Sequence, residues 1–194
     1  KNIHSIIRTA LNEDKTLDLQ KVLLEPSFFC ETLGIQGRMD LLHSDCRVLM
    51  EQKSGKKDYK TNGHVEQHYV QVLLYMALLH YSFHLHNDEI SCFLLYSKYS
   101  NGLIKEGPAP MVLFEAIKIR NQITWNEFQF ADGDTSILDI LKPEHLNTRK
   151  VFDKFWNQHK LPEYQGVLYP FQKSSPLERA YVYRMLQFIS KEHI

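Results

Sequence analysis

The sequence predicts an α/β domain, a mixed sheet of about four or five strands with helices packed on it and a helical C-terminal extension. Three patterns carry this expectation. Gly37 to Leu42 and Arg47 to Lys53 read as two strands joined by a turn at His43 to Cys46, apolar residues bounded by turn formers. His64 to His86 then shows helical periodicity, with Val70, Leu73, Leu74, Ala77, Leu78 and Tyr81 forming a broad apolar face. Glu89 to Ser97 (EISCFLLYS) is a short apolar, aromatic run that reads as a central strand.

The remaining elements follow in order. Ile3 to Leu11 reads as an N-terminal helix. After a turn at Ser100 to Gly102 come Leu103 and Ile104, and the break Gly107-Pro108-Ala109-Pro110 precedes a helix over Met111 to Thr124. Arg120 and Asn121 fall near its expected end, where solvation is the simpler role and a phosphate contact the functional one. Two more helices are expected near His145 to His159 and Pro176 to Lys191, flanking a proline- and tyrosine-rich stretch, Leu161 to Phe171. Trp156, Tyr164, Tyr169 and Phe171 offer rings that stack bases or, more simply, pack between helices. One domain is expected over 1–194, with the core over about 1–125 and the extension over about 126–194.

Composition sets limits. The chain has 194 residues, 43% hydrophobic and 24% charged, enough for one substantial core. No apolar run reaches the roughly 18 residues that span a bilayer, because Gln71, His80 and His84 interrupt the best candidate, so no membrane partner is expected. Cys30, Cys46 and Cys92 are scattered without C-x-x-C spacing, which suits a reducing, cytoplasmic setting. The first residue is Lys1 rather than methionine, and the chain is expected to be a piece of a longer polypeptide. No glycine loop for nucleotide phosphates is present.

The chemistry gathers on the hairpin. If the turn centres on Asp45 and Cys46, Asp40 falls opposite Glu51, and the period-two alternation of strands puts Asp40, Glu51 and Lys53 on one face. Val48, Met50, Met39 and Leu41 are then expected on the other. Two carboxylates on neighbouring strands supply hard oxygen ligands for magnesium, and an ammonium beside them orients a water and offsets charge on phosphoryl oxygens. Taken alone, E-x-K at Glu51 to Lys53 reads more simply as a pair of solvated neighbours. The next segment shifts the balance: His64, His68, Gln71 and Tyr75 recur at spacings of four, three and four, one stripe of a helix that borders the hairpin's polar face.

The ordered set G-x-x-D at Gly37 to Asp40, E-x-K at Glu51 to Lys53 and Q-x-x-x-Y at Gln71 to Tyr75 resembles the RecB-like branch of the PD-(D/E)xK nuclease superfamily. The likeness covers Leu33 to Leu79, including LGIQGRMDLL and QVLLYMALL. It implies a restriction-endonuclease-like core and a magnesium- or manganese-dependent deoxyribonuclease. Asp40 and Glu51 would be metal ligands, the Gln52 main-chain carbonyl a further ligand, and Lys53 the residue that positions water. Gln71 and Tyr75 would support the site and contact nucleic acid. The proline of the superfamily's name is replaced by Met39. The N-terminal ligand of the family is best matched by His4, with Glu25 and Glu31 as alternatives. The four cysteines that hold an iron–sulfur cluster in some members are lacking, so none is expected.

Net charge is zero, so affinity for a polyanion must come from local clustering. Lys56, Lys57 and Lys60 crowd the loop after the second strand, where they either line the substrate path or solubilise the loop. The expected partners are DNA and, from the resemblance, a helicase domain or subunit in end processing, repair or recombination. The alternative is a catalytically idle nucleic-acid-binding or assembly module of the same fold, with a purely structural domain as a third possibility.

Overall fold

The computed structural model describes residues 19–147 and 150–193. The expected helix Ile3 to Leu11, and His4 on it, lie outside the described residues. Contacts divide the chain into two compact units, one ending at Ile117 and the other beginning at Lys118.

The first unit is α/β. Its strands are β1 (Val22–Leu24), β2 (Ser27–Cys30), β3 (Ile35–Arg38), β4 (Leu41–His43), β5 (Val48–Lys53), β6 (Ser91–Tyr96) and β7 (Leu103–Glu106). Five of them form a mixed sheet in the order β1-β4-β5-β6-β7, and β2 pairs with β3 in a separate hairpin. The β5–β6 pair is parallel and the others are antiparallel. A parallel pair needs a crossover, and helix α1 (Glu66–Phe83) supplies it. It packs on β6 and β2.

The expected strand Gly37 to Leu42 is in fact two strands. Chain pairing breaks at Met39 and Asp40, where the Met39 N–H donates to the Pro26 carbonyl at 3.1 Å and the Glu25 N–H to the Asp40 carbonyl at 3.1 Å. The break resets the alternation of faces. Met39 therefore joins Leu42 and Leu49 in the core beneath α1, with Val72, Met76, Leu79 and Leu94, and not the Leu41 and Met50 face. Leu41, Met50, Phe93 and Leu95 form the cluster on the other side of the sheet. The hairpin register is as expected: Leu41 pairs with Met50 and Leu42 with Leu49, and Cys46 takes a positive φ of 62° in the turn.

Helix α2 (Pro110–Asp132) begins in the first unit and ends in the second, eight residues beyond the expected Thr124. Arg120 and Asn121 are consequently mid-helix, and the Arg120 Nη1 donates to Asn121 Oδ1 at 2.9 Å.

The second unit continues with α3 (Ser136–Ile140), α4 (Leu161–Lys173) and α5 (Pro176–His193). Of the helix expected near His145 to His159, only the last part, from residue 154 on, is α- or π-helical among the described residues. Pro143–Leu146 forms one 3₁₀ turn, Trp156–Lys160 a π-helical stretch, and the proline- and tyrosine-rich stretch expected between two helices is α4 itself. Pro162 removes a donor and crowds the carbonyl four residues back, so the turn before it widens. The rings of this region pack on each other: Trp156 lies 5.8 Å from Tyr164 and Phe171 5.9 Å from Tyr183, centroid to centroid.

No helix among the described residues is long and apolar enough to cross a membrane. All three cysteines are free thiols, and burial pushes the Cys92 thiol far above its ordinary value.

Candidate active site

Asp40, Glu51, Gln52, Lys53, Gln71 and Tyr75 come together where the C-terminal half of β5 faces α1. Extending the β4–β5 register by one pair sets Asp40 opposite Glu51. Asp40 sits in the chain break, where its Oδ2 accepts the Gln52 N–H at 2.6 Å. That bond fixes one carboxylate to the strand bearing the other. Gln52 contributes this main-chain donor while its side chain stays exposed.

Glu51 is 5% exposed. Its Oε1 accepts from Lys53 Nζ at 2.7 Å, whereas Oε2 is buried without a hydrogen-bond partner among the described residues. Burial raises the Glu51 carboxyl above its ordinary pKa, the Lys53 hydrogen bond pulls it back, and the Asp40 charge pushes it up again. An orphaned, desolvated carboxylate oxygen beside a second carboxylate is the donor set that a hard cation satisfies, so these residues fit a divalent metal.

Lys53 Nζ also donates to Gln71 Oε1 at 2.7 Å. With its oxygen so engaged, the Gln71 amide turns Nε2 toward Tyr75 and donates to the hydroxyl at 2.9 Å. The Tyr75 hydroxyl in turn donates to the Arg38 carbonyl at 2.7 Å. A directed chain of hydrogen bonds thus runs from β3 through α1 to the lysine on β5, and one turn of helix separates its two middle members. Burial raises the Tyr75 hydroxyl above the usual phenol value, so it stays protonated and able to donate.

Gly37 makes this packing possible. A Cβ at that position would lie 2.6 Å from Tyr75 Cε1. The glycine of G-x-x-D is therefore a close-approach residue, a role no local pattern in the sequence reveals.

The two histidines at the head of the stripe are drawn elsewhere. His64 precedes α1, and its Nδ1 lies 2.7 Å from the buried Glu106 carboxylate while its ring stacks on Tyr69. His68 Nδ1 lies 3.0 Å from the Tyr96 hydroxyl, which also accepts the Val65 N–H at 2.8 Å. Because Lys53 pairs in register with Tyr96, His68 borders the lysine, and burial, then the Lys53 charge, lower its pKa.

Of the alternatives for an N-terminal ligand, Glu25 is exposed and pairs with Arg38 at 3.5 Å, while Glu31 is exposed in the turn at the far end of the β2–β3 hairpin. Of the basic loop, Lys57 is tied to the Asn101 carbonyl at 2.9 Å and lies over the Tyr99 ring, whereas Lys56 and Lys60 are exposed.

Comparison with protein-family models, with curated proteins and with solved structures finds no match to this chain.

Proposed function

We propose that the first unit is a nuclease domain with a restriction-endonuclease-like core, hydrolysing phosphodiester bonds in DNA with magnesium or manganese. One observation carries this reading. Glu51, Lys53, Gln71 and Tyr75 are joined by successive hydrogen bonds, Asp40 is tied to the same strand through the Gln52 N–H, and the open end of the network is the buried Glu51 Oε2, which has no hydrogen-bond partner among the described residues. That oxygen, desolvated beside the Asp40 carboxylate, is where a hard cation would be received.

Asp40 and Glu51 would hold the ion, with the Gln52 carbonyl as the further donor that the RecB-like pattern implies. When bound, the ion would lower the pKa of a coordinated water and offset charge on the phosphate. Lys53 spends two of its three N–H donors on Glu51 and Gln71, and the third holds the attacking water and faces charge growing on the phosphoryl oxygens. Gln71 is a positioning residue, its amide locked by Tyr75 so that the ammonium has one place to sit. By the same resemblance, the domain would work beside a helicase in DNA end processing, repair or recombination.

The test is incubation with labelled single- and double-stranded DNA, with and without manganese, beside Lys53→Ala. Manganese-dependent cleavage that the variant loses is the expected result. Cleavage equal in both proteins would overturn the reading.

A further inference from the structure

We propose that the loop 54–63 is a stacking platform for single-stranded DNA, the Tyr59 ring receiving an unpaired base and Lys56 and Lys60 holding the flanking phosphates. The assignment rests on the nuclease reading only for where the strand leads, not for its binding.

The loop leaves β5 directly after Lys53, at the sheet edge where the parallel strands β5 and β6 both end, the usual place for ligands in such sheets. Its base is anchored there. The Ser97 N–H donates to the Lys53 carbonyl at 3.0 Å, and Lys57 is tied to Asn101 and Tyr99 on the β6–β7 turn.

Its tip is internally bonded. Asp58 Oδ2 accepts from the Thr61 N–H at 2.9 Å and the Thr61 hydroxyl at 2.8 Å, the Asp58 N–H donates to the Gly63 carbonyl at 3.1 Å, and Asn62 turns the chain with a φ of 53°. These bonds occupy the loop's one carboxylate with its own turn. Three lysines, Lys56, Lys57 and Lys60, stand against it, a local positive excess in a chain of zero net charge.

Tyr59 projects from this turn 87% exposed, the highest value among the exposed large hydrophobic side chains of the described residues. Lys60 Nζ lies 5.7 Å from the ring centroid. An aromatic ring held in water by an ordered, basic turn offers a π-face to a base, and only an unpaired base has a free face to return. A duplex keeps its faces stacked internally. Tyr59 is six residue steps along the chain from Lys53, a reach of at most ~22 Å. At about 3.4 Å per stacked nucleotide, the bound base lies within about six nucleotides of the phosphate at the site.

The decisive measurement is fluorescence anisotropy in EDTA, so that no cleavage intervenes, using labelled oligothymidylate, an abasic strand of equal length and a matched duplex. Wild-type protein is expected to favour oligothymidylate over both others. Tyr59→Ala should lose about fivefold or more on oligothymidylate and nothing on the abasic strand, while Tyr59→Phe keeps wild-type affinity. Unchanged binding of Tyr59→Ala to oligothymidylate, an equal loss on the abasic strand, or tighter binding of duplex each overturns the platform. Thermal unfolding of Tyr59→Ala should match wild type, since the ring is exposed. Cleavage in manganese is scored apart: its absence alongside base-dependent binding would refute the nuclease reading and leave the platform standing.

Discussion

Gly37 and Tyr75 occupy space that admits no side chain between them: a Cβ on residue 37 would stand 2.6 Å from the tyrosine's Cε1. The ring is 8% exposed and its hydroxyl is held by two hydrogen bonds, so it cannot swing aside without cost. Gly37→Ala should therefore destabilise the protein by about 1–3 kcal/mol, the cost of overpacking a filled site. Urea unfolding reads it directly. A variant as stable as wild type would mean that β3 shifts freely away from α1.

Asp40→Asn and Glu51→Gln each remove a carboxylate proposed as a metal ligand, with little change of shape. Both should abolish metal-dependent cleavage while the fold is kept, as judged by circular dichroism. Lys53→Ala should bind manganese nearly as well as wild type by calorimetry and cut the rate about 100-fold, the scale of one lost electrostatic group in a transition state. Loss of manganese binding in Lys53→Ala would recast the lysine as a structural partner of Glu51.

Tyr75→Phe keeps the ring against Gly37 and deletes only the hydroxyl that links Gln71 to the Arg38 carbonyl. The expected stability loss is about 1 kcal/mol, the net value of such a bond. Cleavage should fall by more than that loss implies, because the Gln71 amide is then free to turn and the ammonium loses its fixed acceptor. Full activity with full stability would reduce the tyrosine to packing.

His68 gives a pH dependence of defined sign. Its folded pKa lies below the ordinary 6.5 through burial first and the Lys53 charge second. A group depressed in the folded state contributes stability that is fully present above its unfolded pKa and is lost as pH falls through the folded value. Urea midpoints should thus decline on acidification below 6.5, and His68→Gln, which keeps a polar partner for Tyr96 without a titrating ring, should show a shallower decline. Identical slopes for the two proteins would refute the assignment.

Period and turn length alone placed Asp40 opposite Glu51 and set Gln71 and Tyr75 on one side of α1, because strand alternation and helical spacing are local properties that the order of residues dictates. The same logic misplaced Met39, since the break at Met39 and Asp40 depends on hydrogen bonds to Glu25 and Pro26, residues of the preceding turn rather than of the strand. Nor does local pattern assign an element to Leu161 to Phe171, where the chain forms α4. His68 lies on the predicted stripe while His64 falls before the helix begins, and only the strand order, which brings Glu106 and Tyr96 beneath them from 42 and 28 residues away, decided their partners. Tertiary packing likewise decided what Gly37 is for and which Glu51 oxygen is left without a partner among the described residues. Long-range pairing sets these features, and no spacing within one segment encodes the segment that will be laid against it.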